Sequence, residues 1–574
     1  MFCPECGTQI GDEEVIFCPE CGTRILDVSA STTPTSEHAY ACDVRGVLLT
    51  NVCLLAKKLH VSQSDLLELL NAFIARKRES GVDYVLVDAH HYTCYKKYAL
   101  GIPKVISLKG NESPLEYVRI LTDLYEGASN NGGGAPDYLF IIGSHDVIPM
   151  LTVPHYKASV SFSDKDIDTD IIYSYLYSED LIAKLISEEL FAEPQRFKVG
   201  RLPVGEDTTF EALTGYLERD IVHSQGITME SAYAQCDPHW KMVSESVATD
   251  GYLKEWMRNL DGKIPSQFYH GRLMLTPYID SQNIEQVFPK DATFYYYNLH
   301  GSDGLEETGY LGEYPPHKRQ YVSGVYPYHM TLCNRPNIVA TESCYGARHI
   351  GLDASHSMLL SAIYSNTMLF LGSSRIAWGS IDSNQVMQSV SISYADTIVN
   401  AFMKLMLQGY DAGVALPLAR KHAFQSNSAT PERAATIIEF NLFGDPTLFL
   451  HIPGAAKAQQ SNNALTMSNG RVGKTYVVEN LGAGETQQPQ SILEQVRREV
   501  DASLAEIHNM VTQHLYKYYG LPQRPATGVY RITASDGSKR LQFDFTDSPS
   551  NSHFAQYSAI CTTDGAVLSV ITTK

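Results

Sequence analysis

No apolar run in this chain approaches the eighteen or more residues of a membrane-crossing helix, which predicts no membrane partner. Basic residues are in deficit, 45 Lys and Arg against 64 Asp and Glu, giving a net charge of −19. That deficit argues against nucleic acid as a partner, because phosphate neutralisation needs clustered cations. The opening "MFCPECGTQIGDEE" has no basic stretch followed by an apolar one, so no secretory signal is expected. Seven of the eleven cysteines are scattered singly instead of forming a disulfide framework. The expectation is a reducing, cytoplasmic compartment.

What is present points to a globular protein of several parts. At 574 residues, 44% hydrophobic and 19% charged, the chain is too long for one core and predicts two to four folding units. The motif "CPECG" occurs twice, placing Cys3, Cys6, Cys18 and Cys21 in two Cys-x-x-Cys knuckles eleven residues apart. Four thiolates close the tetrahedron that zinc prefers in a structural site, and Gly7 and Gly22 follow each knuckle where the chain turns tightly. The alternative, a redox dithiol, expects a strand-helix unit that this segment lacks. Zinc ligation by all four cysteines leaves no open position, so the ribbon serves folding or docking. Residues 1–24 hold a single basic residue, Arg24, which weakens a nucleic-acid role for it.

Residues 1–25 therefore read as a zinc ribbon and 26–39 as a polar linker. Beyond it, Leu66, Leu70, Phe73 and Ile74 recur at helical spacing and Gly81 marks a stop. Short apolar runs at 138–142, 293–298, 338–341 and 368–371 alternate with helical stretches near 355–364 and 396–409. Such alternation predicts an α/β fold, a mostly parallel sheet flanked by helices, over residues 40–452, with halves at about 80–225 and 226–452. Residues 453–490 are small and polar, a boundary. In 491–574, Leu493, Val496, Val500, Ile507 and Val511 mark one face of a long helix, and Asp564-Gly565 joins two strand-like runs. This end predicts an α+β domain, one helix on an antiparallel sheet.

Within the central region, "YYYNLHGS" ends an aromatic strand at His300 and "NIVATESCYGAR" ends another at Cys344, 44 residues later. In open parallel sheets, functional residues collect past the carboxyl ends of strands. A thiol is weakly ionised at neutral pH and needs an imidazole nearby to act as a nucleophile. Gly301 has no side chain to block a substrate, and its N–H could join that of Cys344 as an oxyanion hole. On spacing alone, a buried cysteine and a satisfied histidine remain the competing reading.

His-Gly after one strand and Ser-Cys-x-Gly after the next resembles the caspase-like cysteine peptidases, whose histidine lies about 50 residues upstream of the cysteine. "PDYLFIIGSHDVIP", "FKVGRLPV", "FLGSSRIAWGS" and "NLFGDPTLFL" resemble, in order, segments of the gingipain family, over roughly two thirds of the chain. That resemblance implies a cysteine endopeptidase with His300 as general acid/base and Cys344 as nucleophile, acting on protein or peptide substrates. It also implies a specificity pocket for Arg or Lys, with Trp378 as one wall and Asp250 as its acid. Trp378 as core and Asp250 as a helix N-cap are the structural alternatives.

The zinc ribbon and the α+β end depart from the secreted, immunoglobulin-bearing pattern of typical gingipains. Control, as by a regulatory protein partner, is expected for an intracellular protease; Lys318-Arg319 is a candidate self-processing or pocket-blocking site, against the competing reading of an ordinary exposed loop. A catalytically silent scaffold binding partners through its terminal domains is the second reading. No motif places a third residue to orient His300; Asp237 and Glu245 lie in the right region.

Overall fold

A computed structural model describes residues 44–97, 103–130, 135–154, 166–259, 264–276, 288–303, 309–314, 320–381, 392–426, 431–454, 476–483, 502–534, 538–546 and 556–573. The two Cys-x-x-Cys knuckles, the 26–39 linker and Lys318-Arg319 lie outside these residues.

The predicted periodicities form the predicted elements. Ser62 caps the helix Gln63–Glu79 by accepting the Asp65 N–H, and Leu66, Leu70, Phe73 and Ile74 form its buried face. The chain leaves that helix through Gly81, whose φ of +89° suits only glycine comfortably. The runs Tyr138–Ile142, Phe294–Asn298, Asn337–Thr341 and Thr367–Ser373 are buried throughout. A strand covered by helices on both faces has no polar side to alternate with.

These strands belong to one eleven-stranded sheet. Its order from one edge is Val82–Asp88, Val44–Thr50, Tyr138–Ile142, Lys198–Leu202, Phe440–Phe443, Thr367–Ser373, Asn337–Thr341, Phe294–Asn298, Ala232–Cys236, Leu273–Leu275, Tyr269–His270. Pairing is parallel except at the far edge and at Thr367–Ser373 against Phe440–Phe443. That seam reverses direction, so the two halves point their carboxyl ends to opposite edges. The halves are not contiguous in sequence: Phe440–Phe443 returns to pair in parallel with Lys198–Leu202.

A buried ionic knot ties the helix Gln63–Glu79 to this returning segment. Lys77 Nζ lies 2.8 Å from Asp220 and 3.0 Å from Asp445, all with no side-chain exposure. Tyr84 donates to Asp445 at 2.7 Å. Burial and the Asp445 charge push Asp220 well above the carboxylate range; Asp445 is held low as Lys77, Tyr84 and Thr447 outweigh its burial.

The C-terminal part is one helix, Ala502–Tyr519, on an antiparallel sheet, as read from sequence. Leu504, Ile507, Val511 and Leu515 pack on Val529, Phe543, Phe545 and Tyr557. The hairpin turns at Gly565, φ +92°. Leu493, Val496 and Val500 lie outside the described residues. One boundary differs from expectation: Tyr476–Ala483, inside the stretch read as a linker, pairs with Gly528–Ala534 as a sheet strand. Asn480 and Gly482, residues of low strand propensity, disguise it in the sequence.

Candidate active site

Four adjacent strands end at one edge of the catalytic half. Ala232–Cys236 pairs in parallel with Phe294–Asn298, and that strand pairs in parallel with Asn337–Thr341. Asp237 follows the first, His300 the second and Cys344 the third. The Asp237 N–H donates to the Asn298 carbonyl and the Glu342 N–H to the Tyr297 carbonyl, which carries the ladder to the residues at issue. Ala377 and Trp378 follow the fourth strand, Thr367–Ser373.

The turn at the cysteine is tight. Tyr345 has φ +51°, a conformation costing a non-glycine residue about 1–2 kcal/mol. Neighbouring bonds hold it: Tyr345 N–H to Arg375 O at 2.7 Å, Ala347 N–H to Ser373 O at 2.8 Å and Gly346 N–H to Ser343 O at 3.0 Å. The Cys344 thiol donates to the Ala377 carbonyl at 3.5 Å, and the residue has no solvent exposure. Gly301 presses on this turn; a Cβ there would stand 1.6 Å from the Cys344 carbonyl oxygen, so only glycine fits. A cleft beside the thiol is lined in part by Gly301, Tyr310, Tyr345, Arg348 and Met358.

His300 is fixed from three sides. Its backbone exchanges two 2.8 Å hydrogen bonds with Leu311. The Trp240 ring lies 4.4 Å away, and Tyr321 meets it edge-on at 5.1 Å. Its Nε2 stands 3.9 Å from Asp237 Oδ2.

Asp237 is wholly buried and accepts the His239 N–H at 2.8 Å and the Glu313 N–H at 2.5 Å. The His239 ring nitrogen Nδ1 is 2.9 Å from Asp237 and 3.2 Å from Glu313. Burial alone would raise the Asp237 pKa, but the His239 bond, the His300 and His239 charges and the Glu313 N–H outweigh it and hold the group below the usual value. Glu245, the other acid named from sequence, pairs instead with Lys254 and His270.

Trp378 is buried, one residue past the carbonyl that takes the thiol. Asp250 is not brought to this edge. It is the exposed last residue of the helix Lys241–Asp250, which leaves the edge after Asp237 and carries it about 14 Å away at 1.5 Å per residue. It caps no helix start either. Two buried carboxylates stand on neighbouring segments. Asp396 accepts the Ser380 N–H at 2.6 Å, and Glu342 accepts the Tyr296 hydroxyl at 2.8 Å. Burial, then the Glu342 and Asp396 charges, push the Tyr296 pKa well up.

The family model of peptidase family C25 matches residues 56–451. The chain belongs to peptidase family C25. A zinc-ribbon domain model matches residues 2–26. No curated protein matches the sequence. Among solved structures, one described as "Structure of Protease" is similar over 92% of this chain and 91% of its own, at 13% identity and a TM-score of 0.44. The Arg-specific cysteine proteinase gingipain R (RgpB) is similar over 95% and 94%, at 10% identity and 0.44. The complex of Porphyromonas gingivalis RgpB pro- and mature domains is similar over 92% and 93%, at 10% and 0.45. Peptidase family C25 is thus assigned by the sequence pattern of this chain. Among its described residues, no helix is long and apolar enough to cross a membrane, and no group of three or more His, Cys, Asp or Glu could hold a metal ion.

Asp237 is named from sequence only by region, and no sequence pattern points to Trp240, Glu313 or Tyr321. "QCDPHW" carried one usable signal, an acid directly after a buried strand.

Proposed function

We propose that this member of peptidase family C25 is an active cysteine endopeptidase of the cytoplasm, with Cys344 as nucleophile and His300 as general base and acid. The observation that carries the reading is the delivery of Asp237, His300 and Cys344 to one edge by three adjacent parallel strands.

In this reading His300 takes the Cys344 proton and the thiolate adds to the scissile carbonyl. The oxyanion is received by the N–H groups of Gly301 and Cys344. Collapse expels the amine, protonated by His300, and leaves a thioester on Cys344. Water, deprotonated by His300, then hydrolyses it. Asp237, ionised and fixed by its own donors, stabilises the imidazolium that forms in each step.

Cleavage after Arg or Lys is part of the proposal. Trp378 offers a flat wall to an alkyl stem or guanidinium, and Asp396 or Glu342, in place of Asp250, supplies the acid. One structural zinc on Cys3, Cys6, Cys18 and Cys21 is proposed as well, four thiolates being the donor set of a closed site.

Control is proposed because Cys344 is covered, through a protein partner or a cut at Lys318-Arg319. The same covering favours a second reading, a silent scaffold. Incubating the full chain, Cys344→Ala and His300→Ala with a fluorogenic peptide library separates the two. Cleavage by the first alone supports the peptidase. Equal turnover by all three, or none even after limited proteolysis, supports the scaffold.

A further inference from the structure

The strand that carries Trp378 belongs, by its hydrogen bonds, to the C-terminal domain. Trp378–Ser380 is the outermost strand of the six-stranded C-terminal sheet and not a member of the catalytic sheet. Its partner is Val567–Thr573, in the antiparallel register Trp378↔Thr573, Gly379↔Thr572 and Ser380↔Ile571. On the other side it is held at a bridge from Gly379 to Tyr394 and by the Ser380 N–H bond to Asp396.

A three-residue strand cannot hold its own geometry; its neighbours set it. Here one neighbour comes from almost two hundred residues downstream. The junction is apolar and two-sided: Ile560 and Ile571 pack into the catalytic core, and Ile381 packs on the C-terminal cluster. Nearby, Gln542 of the C-terminal sheet donates to Glu432 of the catalytic domain at 2.9 Å, both buried. Directly before the paired strand stands Ala377, whose carbonyl receives the Cys344 thiol.

We propose that Val567–Thr573 is a positioning strand of the peptidase site: by docking on Trp378–Ser380 it fixes the Trp378 wall and the Ala377 carbonyl, and so sets both substrate preference and access to Cys344. This is strand addition within one chain, the mode by which sheets capture peptides, used on the wall of a cleft. Its meaning for specificity rests on the peptidase reading above; its effect on Cys344 does not.

The test uses the full chain carrying Ile571→Asp, which puts a charge at the buried apolar junction, and Leu568→Asp, on the same strand but 47% exposed. Two quantities are read: the ratio of kcat/KM for Arg, Lys and Leu before the cut, and the rate of Cys344 carboxamidomethylation, located by peptide mapping. The expected result for Ile571→Asp is a tenfold or greater change in the ratio and a tenfold or greater rise in alkylation rate. Leu568→Asp stays within twofold of the parent in both. If Ile571→Asp does not fold, Ile571→Ala takes its place, with a threefold threshold. A folded variant at Ile571 with parental preference and parental alkylation overturns the proposal. If the parent cleaves nothing, the peptidase reading fails while alkylation alone still decides whether the strand governs Cys344.

Discussion

Asp237 Oδ2 and His300 Nε2 stand 3.9 Å apart at the ends of adjacent strands, beyond direct hydrogen-bond reach. The carboxylate is tethered by the Glu313 N–H on one oxygen and the His239 N–H on the other. Movement towards the imidazole would cost one of these bonds. Asp237 therefore acts on His300 through charge from a fixed position, and His239 and Glu313 fix that position.

Asp237→Asn should lower kcat/KM by roughly 10- to 100-fold with little change in KM, less than the roughly 10⁴-fold seen where the acid bonds the imidazole directly. Stopped-flow kinetics on one good substrate measures it. The same variant has a stability signature. The folded pKa lies below the ordinary value of 3.8, so the stabilisation is present above about pH 4 and is lost as pH falls through the folded pKa. Acid-induced loss of Tm below pH 4 should therefore be shallower in Asp237→Asn than in the parent. Equal slopes would refute the tethered carboxylate.

Gly301→Ala should abolish cleavage, by 100-fold or more, and lower Tm, because its methyl group would meet the Cys344 carbonyl at 1.6 Å. Ser302→Ala, one residue on, serves as the control for handling the same loop. Parental activity in Gly301→Ala would show that the two turns do not touch.

Lys77→Met leaves Asp220 and Asp445 buried without their cation, and should destabilise the chain by about 3–5 kcal/mol. Urea unfolding reads the loss. Adding Asp445→Asn to Lys77→Met should recover part of it, since Asp445 is the carboxylate of the pair held in its charged form.

His349 is buried against Phe443, and desolvation pulls its pKa from 6.5 down to about 4. His329 is lowered to about 4 by burial as well. A base with a depressed folded pKa binds its proton more readily when unfolded. Stability from this source is full above about pH 6.5 and falls as pH drops from there to about 4. Replacing both with Gln should flatten the dependence of Tm on pH in that window. An unchanged slope would mean that both rings take up protons in the folded state.

The purified chain should hold one zinc, released in step with titration of Cys3, Cys6, Cys18 and Cys21 by a mercurial reagent and absent from Cys18→Ser. Atomic absorption gives the count; zero metal in protein prepared without chelator would remove the ribbon's ligand set.

His300 and Cys344 could be read from the chain because each follows a continuous apolar run, and burial on both faces is what makes such runs. Asp237 follows one too, but a carboxylate after a strand is common and only the neighbouring histidine gives it meaning. Asp250 stands at the far end of Lys241–Asp250, because distance along the chain counts residues, whereas a helix converts those residues into a displacement away from the edge. Trp378 follows the strand that pairs with the nucleophile strand, yet its pairing with Thr573 leaves no local trace in the sequence. Backbone hydrogen bonds between distant segments carry no side-chain code.

The seam at Phe440–Phe443 also orders events during synthesis. In the main sheet this strand alone joins the two halves, pairing with Lys198–Leu202 on one side and Thr367–Ser373 on the other. A ribosome that has made His300 and Cys344 but not yet residue 440 presents "TMLFLGS" as an unpaired apolar margin. Such a margin invites pairing with another nascent chain. The newborn protein therefore carries an open margin for mispairing until residues 440–443 emerge to close it.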